Sequence, residues 1–281
     1  MKKLFLTSLL AVAAVSGAHA ANVIDGNPLY MPSAGHFYSV STLASHSEAN
    51  KYWILDEQFG YGISDKLEIN VATSLSENDS FDVYGCDNVA LELVYRAYDK
   101  GGIVADFYGG VAVGDAFGGL YMHDKKTDTT HWMDKDFTNY AWTAGARLGY
   151  TTGAFTIAGY TTFNYVNSEM FNWNEKAGEQ GTHTLSLGLD GQFVIDSNWN
   201  LIAGVEYTGR LDNYERGEKL MGKVENAGVW SGYFGVNYNI DATKYVGAYI
   251  NGSMNHQGGD DHDQWVGDKG YGYGIQFGID F

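Results

Sequence analysis

Tyr271-Gly272-Tyr273-Gly274-Ile275-Gln276-Phe277-Gly278-Ile279-Asp280-Phe281, the end of the chain, alternates without a break. Successive side chains of a strand point to opposite faces. Tyr271, Tyr273, Ile275, Phe277, Ile279 and Phe281 therefore share one face, and Gly272, Gly274, Gln276, Gly278 and Asp280 share the other. The first face is aromatic and apolar throughout; the second is small or polar. A strand with lipid on one side and a barrel interior on the other needs this pattern. A half-buried sandwich strand also alternates, but is rarely so rich in glycine on its second face.

The same alternation recurs upstream. Leu67, Ile69, Val71 and Leu75 alternate with Glu68, Asn70, Ala72 and Ser74, and Val89, Leu91, Leu93 and Tyr95 with Ala90, Glu92, Val94 and Arg96. Ile103, Ala105, Phe107 and Val111 alternate with Asp106, Tyr108 and Gly110. Tyr140, Trp142, Ala146, Leu148 and Tyr150 oppose Thr143, Gly145, Arg147 and Gly149. Leu185, Leu187, Leu189 and Phe193 oppose Ser186, Gly188, Asp190 and Gln192. Trp199, Leu201, Val205 and Tyr207 oppose Asn200, Gly204 and Glu206, and Trp230, Phe234, Val236 and Tyr238 oppose Ser231, Tyr233 and Asn237. Weaker patterns cover 36–46, 51–63, 154–166 and 244–253. In the second of these Glu57 shares a face with Trp53, Leu55, Phe59 and Tyr61, which implies a bulge or an exchange of faces.

Connections alternate in length. Ser64-Asp65-Lys66, Asp99 to Gly102, Thr151-Thr152-Gly153, Asp196-Ser197-Asn198 and Asp241-Ala242-Thr243 are turn-like. Between them lie longer polar links near 76–87, 114–138, 167–181, 209–227 and 254–269. Cys86, the single cysteine, falls in the first of these as a small loop residue, with no partner for an internal disulfide. The expected fold is all-β: one closed antiparallel transmembrane barrel of about twelve strands, with ten or fourteen left open. Closure follows because every backbone N–H and C=O in lipid must be paired inside the protein. The final strand must then pair with the first, near 34–46, and Trp and Tyr are expected to girdle both interfaces.

Composition agrees. Aromatics make 15% of the chain and charged residues 18%, with 37 Gly and 2 Pro; ordinary domains carry about 25% charged residues and about 7% Gly. Ahead of the barrel, Lys2 and Lys3 precede an apolar Leu4–Val15 run, and Ala18-His19-Ala20 offers a small-x-small cleavage pattern. Residues 1–20 are accordingly expected to be a signal peptide and 21–281 the barrel domain. The apolar run is too short to span a bilayer. The formal net charge of −17 argues against nucleic acid as a partner.

The final strand, with its alternating apolar face and terminal Phe281, resembles the assembly signal of bacterial outer-membrane proteins. That resemblance implies a place in the bacterial outer membrane, lipid contact, and recognition of Phe281 by the barrel assembly machinery. Phe59 to Ile69, followed by Asn88 to Arg96, looks like the repeating hairpin of porin-like transporters. Some of those are associated with uptake of hydrophobic compounds.

The inner face is the place to look for function. Glu68, Asn70, Glu92, Arg96, Asp106, Arg147, Asp190, Glu206 and Asp280 all fall on it. Charges there need water or partners. They either line a cation-preferring channel for small hydrophilic solutes or ions, or pair up, Arg96 with Asp106, and stiffen a filled interior. Strand number alone leaves this undecided. The second reading is a non-conducting structural or adhesive barrel whose extracellular loops bind a partner. The loop from Gly114 to Asn139, with Phe117, Leu120, Tyr121, Met122, Trp132 and Met133, either narrows the pore or projects outward.

A third reading is a loop-borne hydrolase. Asp260-x-His262, beside Asp134 and Asp136, resembles the acidic and histidine residues of outer-membrane proteases. A lipase-like His and Ser fail the face test: His183 lies on the face of Leu185 and Ser186 on the other, and His36 and Ser39 fail likewise. His256 with Asp260-Asp261-His262-Asp263 lacks the ligand spacing of an EF-hand loop. No cofactor, metal site or catalytic residue is expected.

Overall fold

The computed structural model describes residues 26–46, 52–78, 86–117, 120–124, 129–133, 140–172, 175–215, 218–219, 228–256 and 269–281. Residues 1–20, Asp134 and Asp136, and the 260–263 cluster lie outside the described residues.

Twelve strands make the barrel: β1 Phe37–His46, β2 Tyr52–Ser64, β3 Leu67–Asn78, β4 Cys86–Lys100, β5 Ile103–Phe117 and β6 Tyr140–Thr152. They continue with β7 Phe155–Asn172, β8 Glu175–Val194, β9 Trp199–Glu215, β10 Gly228–Asp241, β11 Lys244–His256 and β12 Lys269–Asp280. Every neighbouring pair is antiparallel, and β1 closes on β12 from Tyr38↔Asp280 to His46↔Gly272. A separate ribbon pairs Leu120–Asp124 with Thr129–Met133 within the longest link; its side chains lie outside the described set.

Burial is inside out relative to a water-soluble domain. The buried residues include Gln58, Glu68, Asn70, Asp106, Asp190, Gln192 and Asn200. Leu91, Leu93, Phe107, Leu148, Leu187, Phe234, Ile250 and Ile275 lie exposed on the outer wall. Such a surface is stable only against hydrocarbon. Aromatic pairs mark its two rims. At the short-turn end Phe37 meets Tyr61 at 4.4 Å between ring centroids, and Trp199 meets Tyr238 at 4.8 Å. At the other end Tyr207 meets Trp230 at 5.0 Å and Trp142 stacks on Tyr165 at 5.9 Å.

The short connections are tight as expected. Gly101 and Gly102 both have positive φ, 66° and 81°, the two-residue hairpin geometry that matches strand twist and excludes most side chains. The long links are shorter than the sequence implied. β7 runs to Asn172 and β8 starts at Glu175, through what read as a link at 167–181. About ten residues cover the apolar belt; beyond it both faces meet water, so the ladder continues without period-two selection. For the same reason Cys86 opens β4 instead of sitting in a loop.

Glu57 needs a correction of a different kind. No bulge occurs there, and it keeps its outward face: Glu57 pairs with Ser41 on β1 and Thr73 on β3. Its carboxylate accepts a hydrogen bond from Ser41 Oγ at 2.8 Å.

Candidate functional site

The interior begins with a segment the strand pattern does not reveal. Residues 26–36 precede β1 and cross the lumen at the short-turn end. Asn27 starts the crossing with a turn: its Oδ1 accepts the Leu29 N–H at 2.9 Å and its carbonyl the Tyr30 N–H at 3.1 Å. Gly26 lies against Ile202 of β9 and Asn237 of β10, where any Cβ would overlap Ile202. Leu29 packs with Val104 of β5 and Ala158 of β7. Tyr30 donates to Asp280 Oδ2 at 3.1 Å and meets the Tyr38 ring edge-on at 5.6 Å. Gly35 N–H then bonds the Gly62 carbonyl of β2 at 2.8 Å. The segment therefore touches walls on several sides, and the side chains of Pro28 and Pro32 are fully buried in it.

Arg96 ties this segment to the wall. Its Nη2 donates to the Leu29 carbonyl at 2.6 Å, while its Nε donates to Asp106 Oδ1 at 3.0 Å. Arg147 approaches the same carboxylate from β6, with Nε at 3.1 Å and Nη2 at 2.6 Å from Oδ2. The Asp106 side chain is wholly inaccessible. One carboxylate thus holds two guanidiniums, a charge-assisted arrangement whose desolvation is offset only while all three groups are present.

Around the wall a second arrangement repeats. An inward tyrosine lies flat over a glycine of the next strand and reaches the strand beyond. Tyr38 of β1 crosses Gly60 of β2, its hydroxyl 2.8 Å from Glu68 Oε1 and 2.9 Å from Asn70 Oδ1. Tyr160 of β7 crosses Gly188 of β8 and donates to Glu206 Oε2 at 3.0 Å. Tyr233 of β10 crosses Gly204 of β9 and donates to Asp190 Oδ1 at 2.9 Å. Tyr108 of β5 crosses Gly145 of β6 to the Thr162 hydroxyl of β7. Four inward glycines are thus the seats of inward rings, whereas Gly149 seats Leu29 and Gly247 lies against Asn237.

All nine residues singled out from the sequence point inward. Glu68, Asn70, Glu92, Arg96, Asp106, Arg147, Asp190 and Glu206 are buried, and Asp280 is half-buried at the short-turn end. They form separate groups: Arg96, Asp106 and Arg147 meet at one point, and Asn70 Nδ2 reaches Glu92 Oε1 at 3.5 Å beside Glu68. Asp190 and Glu206 each answer to their own tyrosine, Glu206 also accepting from Thr208 at 3.0 Å. Two further inward charges escaped the sequence reading, Asp56 of β2 and Arg210 of β9, both half-buried. Tyr38, Tyr160 and the 26–36 crossing escaped it as well. The two prolines, both in the crossing, were the available signal, since proline is excluded from central strands.

His183 and Ser186 lie on opposite faces as the spacing required. His183 lies outward with its ring tilted against Tyr165 at 4.8 Å, and Ser186 is buried inside, 2.6 Å from the Thr208 hydroxyl.

No protein-family model matches the chain, and no curated protein sequence matches it. Solved structures do. An outer membrane channel from Pseudomonas putida F1 superposes with a TM-score of 0.60 at 12% identity, over 90% of this chain and 97% of that one. The translocator domain of the autotransporter NalP from Neisseria meningitidis gives 0.55 at 12% identity, over 97% of each chain. The NanC porin gives 0.50 at 10% identity, over 85% of this chain and 98% of the porin. The fold is that of bacterial outer-membrane β-barrels.

Proposed function

We propose that this chain is a porin-like outer-membrane channel for passive diffusion of small hydrophilic solutes or ions, with a preference for cations. The observation that carries the reading is the charge of the inner wall. Seven inward carboxylates, Asp56, Glu68, Glu92, Asp106, Asp190, Glu206 and Asp280, stand against three arginines among the described residues. Two of those arginines are committed to Asp106. Glu68, Asp190 and Glu206 are instead held by tyrosine hydroxyls, which fix a carboxylate without neutralising it. A wall of fixed negative charge lowers the electrostatic cost for a cation and raises it for an anion. The likeness to a channel and a porin supports this reading at the level of fold.

In this reading residues 1–20 are the export signal, residues 21–281 the barrel, and Phe281 the mark recognised by the barrel assembly machinery. The work is done by the field and width of the lumen, so the reading assigns no catalytic residue and no cofactor. Single-channel recording of the refolded mature chain in a planar bilayer under a salt gradient is the test. Stable steps with a cation-selective reversal potential, moved toward zero in Glu206→Gln and Glu68→Gln, are expected. A folded barrel that never conducts overturns it.

A second reading, a non-conducting barrel whose loops bind a partner, draws on the 26–36 crossing, which occupies the short-turn end of the lumen. Deleting residues 21–35 separates the two. Under the channel reading both forms conduct and the deletion conducts more. Under the second, the intact chain is silent.

A further inference from the structure

Residues 26–32 lie against the wall without joining it. Each barrel strand is held by ladders to its two neighbours. From Gly26 to Pro32, by contrast, the backbone-to-backbone bonds among the described residues reduce to the local Tyr30–Asn27 turn. Pro28 and Pro32 have no N–H to give to a ladder. The crossing can therefore leave its seat without breaking a rung of the barrel, whereas β1, which follows it, cannot.

Its attachments are of two kinds. One is a pin: Gly35 N–H bonds the Gly62 carbonyl at 2.8 Å and Gly62 N–H bonds the His36 carbonyl at 3.0 Å, which fixes the end of the segment to β2. Ser33 and Ala34, just ahead of the pin, are exposed, and Gly35 takes a φ of 83° with open space where a Cβ would stand. Such a position turns without steric cost. The other kind is a latch. Leu29 enters a socket of Val104 and Ala158, and Gly149 supplies the room, since a Cβ there would overlap the Leu29 methyls. Tyr30 donates to Asp280, and Arg96 donates to the Leu29 carbonyl. Arg96 Nη1 also stands 3.5 Å from the Asp99 carboxylate, so the guanidinium stays paired with Asp99 and Asp106 when the carbonyl departs. A latch whose wall side remains satisfied on release has two discrete settings.

We propose that residues 26–32 are a strap that swings about residues 33–35 and closes the short-turn mouth of the barrel when Leu29 enters its socket. Motion of the strap stands on these contacts alone; its effect on current rests on the channel reading. One apolar side chain and two hydrogen bonds must be released, so the open setting is the minor one, populated on the order of 1%. Opening uncovers Val104, which the closed strap buries, and leaves Ser186 buried in the β7–β9 wall.

Thiol labelling of the mature chain in liposomes tests this, with Cys86→Ser as background. A water-soluble maleimide is expected to modify Val104→Cys in the folded barrel about a hundredfold more slowly than a free thiol, and at least about tenfold faster than Ser186→Cys. Tyr30→Phe, which gives up the bond to Asp280, should raise the Val104→Cys rate about tenfold and leave Ser186→Cys protected. Heat-modifiable gel mobility shows that each variant is folded. In a planar bilayer a linked Leu29→Cys/Ala158→Cys pair should hold the current at its lower level, and reductant should restore steps to a higher one. Labelling of Val104→Cys no faster than of Ser186→Cys overturns the strap, as does a rate that Tyr30→Phe leaves unchanged or a linked current that reductant leaves unaltered. Absence of current from every variant, with Val104→Cys still labelled the faster, upholds the strap and overturns the channel reading instead.

Discussion

Substituting Gly188 by alanine should destabilise the barrel far more than the same change at Gly159. Both are strand glycines, one facing in and one facing out. A Cβ at Gly188 would overlap the Tyr160 ring at Cζ and its hydroxyl and would stand 2.5 Å from Cε1. A Cβ at Gly159 meets nothing nearer than the Gly188 carbonyl at 3.9 Å and Leu189 at 4.0 Å. To admit alanine the Tyr160 ring must lift, and its hydroxyl then leaves Glu206. Loss of a hydrogen bond to a charged acceptor costs about 1.5–3 kcal/mol. Forcing a packed ring from its seat costs about 1–3 kcal/mol more. Gly188→Ala should therefore lose about 2.5–6 kcal/mol, while Gly159→Ala should be neutral or up to about 1 kcal/mol more stable, through the unfolded chain. Equilibrium urea unfolding from phosphatidylcholine vesicles, followed by tryptophan fluorescence, measures both. With Tyr160→Leu in the background, the cost of Gly188→Ala should fall below about 1 kcal/mol, and the cycle then assigns the difference to the ring. If Gly188→Ala unfolds with Gly159→Ala, the seating of rings on glycines is not what these glycines are for.

Three further outcomes are expected, two in the interior and one in a turn. Asp106→Asn leaves two buried guanidiniums facing an amide and should cost about 3–5 kcal/mol in the same unfolding assay, with part regained when Arg147→Met is added. Leu29→Ser removes the apolar anchor of the 26–36 crossing; it should raise single-channel conductance and cost about 1.5–3 kcal/mol of lost burial, and unchanged values of both refute the anchoring role. Asp241, exposed in the β10–β11 turn, has its pKa lowered from 3.8 to about 2 by the Thr243 N–H, the Thr243 hydroxyl and the Lys244 ammonium. A depressed folded pKa stabilises above the unfolded value, so this contribution is complete above pH 4 and lost as pH falls through about 2. A carboxyl NMR titration should place the Asp241 midpoint near 2, and a midpoint near 4 refutes the turn.

The strands were legible because lipid imposes a rule on every second residue, and turns such as Gly101-Gly102 carry their own backbone requirement. Where lipid ends, so does the rule, which is why the upper parts of β7 and β8 read as a link. Glu57 shows the converse: its break in the apolar pattern implied a bulge or an exchange of faces, yet parity holds through it, since no bulge shifts the ladder there. Parity also placed all nine candidate residues inside. It had no means of saying which of them meet. Tyr160 and Glu206 are 46 residues apart and two strands removed, and their encounter depends on the registers Gly188↔Tyr160 and Gly188↔Glu206. Register is set by turns and bulges along each hairpin and accumulates from strand to strand, so no local window contains it.

The interior also couples two properties that the sequence presents as alternatives. Pairing of Arg96 with Asp106 suggested a stiffened, filled lumen, and surplus carboxylates suggested a selective one. In the structure Arg96 serves both: it neutralises Asp106 together with Arg147, and it holds the crossing segment through the Leu29 carbonyl. Two of the three inward cations are thereby confined to the end that the crossing occupies, whereas Glu206 is held by Tyr160 and Thr208 and has no hydrogen bond to the crossing among the described residues. Width and charge are then set by one cluster. Breaking it at Asp106 should change both together, whereas Glu206→Gln, remote from the crossing, should change ion preference and leave the width alone.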